Sequence, residues 1–380
     1  MFGPGLPGLF LVPVSFGPGR FNGQDPPLCI YLNISLTSLL CRQLVYYTVP
    51  TVGGLLNATF GNATELIISL FAMKQGMLRL VQQSLLGSIL SNMLLVLGCA
   101  LFSGGITHLN KEQMFNKLCC QSNVGMSVGL LLMAVMSLIF PTVLRVTNTE
   151  LQIGTSVLAL SRFCSCVMLV AYVVYIFFLL TNQKQDYASL KEDSPTASSD
   201  NEESADITKW ESIIWLGVLT LFISILSDYL VNAIEGASVA MDVPVAFISV
   251  ILLPIVGNAA EHASAIMFAV KDNLDISLGV AIGSSTQISM FVMPICVVVG
   301  WMIERPLDLD FEPFETATLF MTVLVVAFIL QEGTSNYFKG LMLLFCYMIV
   351  AASFYVHVDP ASIREFLRTY RIYHKFVPFY

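Results

Sequence analysis

Two carboxylates stand where hydrocarbon is expected. Gly61-Asn62-Ala63-Thr64-Glu65 and Gly257-Asn258-Ala259-Ala260-Glu261 each fall inside an apolar run long enough to cross a bilayer. In both, the acid follows the Asn by three positions, so on a helix the amide and the carboxylate share a face. An ionised carboxylate at that depth is costly, so it must face the protein interior and pair, bind a cation or hold a proton. Two such groups brought together would let a divalent cation and protons compete for the same oxygens, because the ion reverses the local electrostatics. Asn62, Asn258 and Thr59 add neutral oxygens, which suits a hard cation that takes six to eight oxygen ligands.

A second pair of motifs follows at the same spacing. Gly87-Ser88-Ile89-Leu90-Ser91-Asn92 answers to Gly283-Ser284-Ser285-Thr286-Gln287. Gly61 to Gly257 and Gly87 to Gly283 are both 196 positions apart, the mark of an internal repeat. Ser88 with Asn92, and Ser284 with Gln287, each share a helix face and are candidate further ligands. The local alternatives are a buried Glu that caps or pairs, and small polar residues that hydrogen-bond between helices. Ser84 and Ser91 read as packing residues. His262, next to Glu261, titrates in the range of a proton relay, but adjacent helical residues point about 100° apart, so a structural role is equally open. Asp228 and Glu235, seven apart, share a face of a later helix and are candidate entry-path or proton-relay groups. Glu304, Asp308, Asp310, Glu312 and Glu315 cluster at a connection and read mostly as solvated.

The elements that must position these groups are membrane helices. The chain has 380 residues, 56% hydrophobic and only 12% charged, with a mean hydropathy of +0.76. A soluble domain carries about 25% charged residues. The expected class is all-α: a polytopic membrane protein. The net charge of −8 comes mostly from one segment and points to no nucleic acid. None of the nine cysteines makes a Cys-x-x-Cys pair, and no zinc site or nucleophile motif stands out, so neither an enzyme nor an organic cofactor is expected. An intramembrane enzyme or receptor is disfavoured further because neither needs an internal repeat.

Residues 1–27 hold six Gly and six Pro, a density that blocks a continuous helix, and lack the basic leader of a signal peptide. Residues 28–181 form a first repeat: Leu28–Val49, weak and interrupted by Asn33, Arg42 and Gln43, then Val52–Met73, Val81–Phe102, Asn123–Phe140 stopping at Pro141, and Ser156–Leu180. Residues 182–211 are an acidic polar loop. Residues 212–358 form the second repeat: Ile213–Ile234, Val245–Val270, Ile276–Ile303, Phe314–Leu330 and Gly340–His357. Residues 359–380 are a basic tail. About ten spanning helices result. Five per half is odd, so the second copy starts from the opposite face and the repeats are inverted, as in secondary transporters. Pro50, Gly53, Gly54, Gly61, Pro254 and Gly257 let the motif helices unwind and free main-chain carbonyls, which is tolerated only where they line a cavity or bind an ion. Lysine and arginine number seven on the acidic-loop face and eight on the other, so charge does not choose the orientation.

Gly53-Gly54-Leu55-Leu56-Asn57-Ala58-Thr59-Phe60-Gly61-Asn62-Ala63-Thr64-Glu65 and Gly257-Asn258-Ala259-Ala260-Glu261-His262 closely resemble the two signature regions of the vacuolar cation/proton exchangers, in the calcium/cation antiporter superfamily. The resemblance covers about Tyr46 to Asp359 and leans towards plant members. It implies two inverted repeats of five helices behind an extra first one, the fold of the sodium/calcium exchangers. It implies calcium export from cytosol to vacuole against protons, with the acidic loop in the cytosol. It places Glu65 and Glu261 as central ion-binding acids beside Asn62 and Asn258. The front departs from the pattern: Ile213–Ile234 shifted back by 196 lands on Gly17–Ser38, with Gly17-Pro18-Gly19 and Pro26-Pro27, and Glu235 lands on Leu39. The expectation is a calcium/proton antiporter with an atypical or truncated N-terminus, multi-pass in the vacuolar membrane. The alternatives are a sodium-coupled or manganese/magnesium exchanger of the same fold, or a regulatory, non-transporting subunit. The expected partners are the membrane, the transported ions and possible homo- or hetero-oligomers with related exchangers.

Overall fold

The structure, a computed structural model, describes residues 62–108, 113–114, 118–152, 155–193, 243–331 and 333–357, with the single positions 214, 218, 234 and 238. The first half contains α1 (Ala63–Lys74), α2 (Leu78–Leu90), a π-helical segment (Ser91–Val96), α3 (Leu97–Thr107), β1 (Gln113–Met114), α4 (Leu118–Thr147) and α5 (Thr155–Asp193). The second contains α6 (Val245–Phe247), a π-helical segment (Ile248–Leu252), α7 (Leu253–Gly257), α8 (Ala259–Val270), α9 (Leu274–Gln287), a π-helical segment (Ile288–Val292), α10 (Met293–Met302), α11 (Pro313–Gln331), β2 (Thr334–Ser335) and α12 (Tyr337–Val356).

The repeat survives as structure. Shifted by 196, α1 becomes α8 at both ends, Leu78 becomes the first residue of α9, and Val96 becomes Val292, where each π segment stops. Among the described residues, six continuous helical stretches are long and apolar enough to cross a membrane, and the bent pair Val245–Gly257 with Glu261–Val270 makes a seventh. The other expected helices, Leu28–Val49, the front of Val52–Met73 and most of Ile213–Ile234, lie outside the described residues.

Two spans form the centre. Leu78–Thr107 and Leu274–Met302 are 83% and 67% buried over their most apolar windows, against 28–39% for the four flanking spans. The flanking spans turn large apolar side chains outward, among them Phe163, Phe177, Met321, Phe328 and Ile349, where lipid satisfies them. The centre is closed by close backbone contact: a Cβ on Gly340 of α12 would collide with the main chain of Phe102 in α3, so only glycine permits that approach.

The halves run antiparallel. Arg79, at the start of α2, and Arg145, near the end of α4, both meet residues 308–315, which follow the end of α10. On the opposite face β1 pairs with β2, and Nε2 of His108 lies 3.2 Å from the carbonyl of Val270.

Three expectations are corrected. The first concerns Pro141, which does not end its helix: α4 runs on to Thr147. A proline in a membrane helix is tolerated when nearby hydroxyls and neighbouring helices satisfy the local backbone. Here Thr142 donates 3.0 Å bonds to the carbonyls of Leu138 and Phe311. In the second case, α5 continues past the apolar stretch to Asp193, into the segment read as loop, where Gln, Lys, Ala, Leu and Glu are good helix formers. The third correction is to the acidic connection, most of which is not solvated. Glu315 is 0% exposed and accepts from Arg79 Nη2 at 2.7 Å and from Gln83 Nε2 at 3.3 Å. Asp310 pairs with Arg145 at 2.5 Å, Glu312 lies 3.6 Å from the same guanidinium, and Asp308 accepts from Gln82 at 2.9 Å. Only Glu304 is exposed as expected.

Asp310 lies between spans, and burial pushes its carboxyl up from 3.8 to about 6, against the opposing pull of Arg145. An acid that ionises less readily in the fold than in the unfolded chain destabilises the fold once ionised, so this contribution worsens as pH rises from about 4 through about 6. Asp310→Asn is neutral throughout. It is therefore expected to shrink the gain in Tm of the detergent-solubilised protein between about pH 7 and pH 5, by on the order of 2 °C. An unchanged gain would contradict the assignment.

Candidate ion-binding site

The site is built where two helices begin, the second of them after a break in its span. Asn62 precedes α1 with φ −107° and ψ 26°, and Asn258 separates α7 from α8 with φ −93° and ψ 15°. Neither backbone is helical, and the second break bends the span by 55°. Pro254 and Gly257 supply the local cause, since proline removes an amide donor and glycine favours an interrupted helix. Asparagine at such a position usually turns its side chain back to cap the helix. Here neither side chain makes a cap bond. Each crosses to the other half instead. Asn62 Nδ2 donates to Gln287 Oε1 at 2.7 Å. Asn258 Nδ2 donates to Asn92 Oδ1 at 3.1 Å and to the carbonyl of Ser88 at 3.2 Å. Each Asn is thus fastened to the last turn or π segment of the opposite central span.

Glu65 and Glu261 occupy the first turns of α1 and α8. Unpaired amides at a helix N-terminus and the helix dipole favour negative charge there. Glu65 reaches the second break: a Cβ on Gly257 would lie 4.0 Å from its Oε1. A cavity of about 20 Å³ opens beside it, lined by Glu65, Ser84, Ser88, Pro254 and Gly257 with Ile68, Leu85 and Leu253. That is room for about one water-sized sphere.

What the site lacks is partners for its oxygens. Asn62 Oδ1, Glu65 Oε2, Asn258 Oδ1 and Glu261 Oε2 are all buried without a hydrogen bond. They form one amide oxygen and one carboxylate oxygen from each half. Buried acceptors left unpaired are costly, and four together fit a cation better than a dry core. No group of three or more His, Cys, Asp or Glu that could hold a metal forms among the described residues. The charged oxygens are therefore two carboxylates, with amide, hydroxyl and backbone oxygens to complete a shell.

The remaining candidates divide. Ser88, Asn92 and Gln287 join this network, with Gln287 Nε2 and Asn92 Nδ2 still unpaired. Ser284 is half-buried, its carbonyl accepts from the Ile288 N–H, and its hydroxyl makes no hydrogen bond among the described residues. His262 is tied to the break itself, its Nδ1 2.6 Å from the carbonyl of Asn258, while its Nε2 is buried without a partner. Thr59, Asp228 and Glu235 lie outside the described residues. Ser84, read as packing, lines the cavity; its spacing of four from Ser88 was the available signal.

The profile of the family described as Sodium/calcium exchanger protein matches residues 29–181 and 211–356. The chain belongs to that family, among its vacuolar cation/proton exchangers. It is 67% identical over 321 residues to vacuolar cation/proton exchanger 2 of rice, covering 84% of this chain and 72% of that one. It is 65% identical over 321 residues to exchanger 5 of Arabidopsis thaliana, with the same coverage. The solved structure of native YfkE is 32% identical, with a TM-score of 0.71 over 87% of this chain and 91% of that one. A second YfkE structure is described as a Ca²⁺/H⁺ antiporter protein.

α2 approaches the π segment Ile248–Leu252 so closely that a Cβ on Gly87 would strike the carbonyl of Val250 and the ring of Pro254. Gly87→Ala is expected to force the bent span away from Ser88, at a cost of about 1–3 kcal/mol. A fall of several degrees in Tm measures it, and a wild-type Tm would contradict the packing.

Proposed function

We propose that the chain is a secondary antiporter that exchanges calcium, or a similar divalent cation, for protons across the vacuolar membrane. The observation that carries this reading is the pair of glutamates in the first turns of two repeat-related helices, each with a buried, unpartnered carboxylate oxygen three positions after an Asn whose amide oxygen is also unpartnered. The names of the relatives, which are vacuolar cation/proton exchangers, support proton coupling and the vacuolar membrane. The description of YfkE as a Ca²⁺/H⁺ antiporter supports calcium.

In the proposed mechanism Glu65 and Glu261 hold either the cation or protons, never both fully. Asn62 and Asn258 contribute amide oxygens, and Ser88, Asn92, Ser284, Gln287 and Thr59 are the candidates to complete the shell. A cation replaces protons on the same oxygens, so each passage through the membrane carries one or the other. Alternating access then couples the two gradients without either ion leaking alone. His262, with Asp228 and Glu235 further along, remains the proposed proton route. No organic cofactor is required by this chemistry.

Calcium-45 uptake into acidified vesicles tests the reading. Wild-type uptake is expected to collapse when a protonophore dissipates the gradient. Glu65→Gln and Glu261→Gln, which keep shape and remove charge, are each expected to reduce uptake to background in well-inserted protein. Uptake that persists in either variant would overturn the glutamate mechanism. Uptake that follows sodium rather than protons would leave the fold and change the coupled ion.

A further inference from the structure

On one face, ion pairs among the described residues join the two halves. Arg79 of α2 meets Glu315 of α11, and Arg145 of α4 meets Asp310 and Glu312 of the connection before α11. Gln83 adds a second donor to Glu315. Gln82 donates to the Asp308 carboxylate at 2.9 Å and to the carbonyls of Asp308 and Asp310 at 3.1 and 3.4 Å. Glu315 Oε2 in turn accepts from the backbone N–H of Glu312 at 3.3 Å, which fixes the start of α11. The other face has no comparable ion pair among the described residues. There the halves meet through a two-residue β-bridge and the His108–Val270 contact. By the repeat, Arg79 corresponds to Asp275, whose Oδ1 is buried without a partner, so the joint has no symmetry mate.

Arg79, Gln82 and Gln83 occupy one face of α2, spaced three and four apart. Ser84 and Ser88 lie on the far side, about 140–180° round at 3.6 residues per turn. The same helix is therefore pinned at its start by the connection and presses its other face on the site. Ser88 is nine residues beyond Arg79, about 13 Å along a rigid rod. Ion–oxygen distances must be met within about 0.2 Å, so a small slip of that rod would spoil the site. Separating the clasp would strand a carboxylate that has no water, so α2 and the 308–315 segment stay together.

We propose that Arg79, with Gln82, Gln83 and Glu315, is a positioning clasp that sets the register of α2 and thereby the cation affinity of the Glu65–Glu261 site. These residues touch no ion. They act through α2. The inference rests on the ion-site reading proposed above.

The test is equilibrium binding of calcium-45 to purified full-length protein, with Tm measured on the same samples. Arg79→Gln is expected to weaken binding about tenfold. Arg79→Lys is expected to recover most of that loss. Arg79→Gln with Glu315→Gln is expected to be no worse than Arg79→Gln alone, because no carboxylate is then stranded. A purely structural role would lower Tm and leave the Kd of the folded fraction at the wild-type value, which overturns the proposal. Gln82→Ala removes hydrogen bonds to residues 308–310 but leaves the Arg79–Glu315 pair and the Asp310 N–H bond to Asp308 in place, and a several-fold weaker Kd is expected. If Arg79→Gln does not purify folded, a wild-type Kd for Gln82→Ala overturns the proposal by itself. A wild-type protein that binds no calcium would overturn the ion-site reading, and the clasp with it; normal wild-type binding with indifferent variants would overturn the clasp alone.

Discussion

A carboxylate carried into a bilayer must be satisfied by something other than water, and much of this structure answers that requirement. Burial removes solvent from Glu65 and Glu261, so each must meet a proton, a cation or a protein donor. The fold supplies few donors. Both helices start just before the acid, the Asn at each start turns away from its own helix, and both central spans relax into π-helix. Each of these features weakens local regularity. Together they leave the oxygens of both Asn–Glu pairs unpaired inside, alongside the amide nitrogens of Asn92 and Gln287. π-helical turns inside longer helices occur most often at functional sites for this reason.

The repeat doubles the device without making the protein symmetric. The core motifs coincide at one offset, down to the helix ends, yet the faces differ. Among the described residues, one face joins the halves through ion pairs with buried or half-buried acids, and the other through a short backbone bridge and a histidine contact. An exchanger works between compartments of unlike composition, so the two faces have no reason to be alike. The clasp sits where the first half can hold the second, and its charges are compensated in place. That arrangement keeps α2 in register while leaving the bent span Val245–Val270 joined to it mainly by packing and by the Asn258 bonds.

Much of this was legible in the residues because it is written in spacing. The offset of 196, the Asn–Glu interval of three and the Pro254 and Gly257 before Asn258 are local or periodic signals, and the described residues repeat the offset and the break at Asn258. The spans were legible because lipid demands long apolar runs. What stayed hidden depends on who meets whom. Glu315 and Asp310 look solvated beside so many other acids, and only the arrival of Arg79 and Arg145 from other helices makes them buried. Pro141 looks like a stop because proline normally is one, and the hydroxyl of Thr142 together with a neighbouring carbonyl alters that outcome. Crossing partners such as Asn62 with Gln287, 225 positions apart, leave no trace in a single chain.

The central claim is that cation and protons compete for the same two carboxylates. It is tested most directly by titrating calcium into the purified protein calorimetrically, in buffers of different ionisation enthalpy at one pH. The account predicts that the binding heat changes with the buffer, which reports protons released as calcium enters, and that this release disappears in Glu261→Gln. Binding whose heat is the same in every buffer would show calcium entering without displacing protons, and would contradict the account.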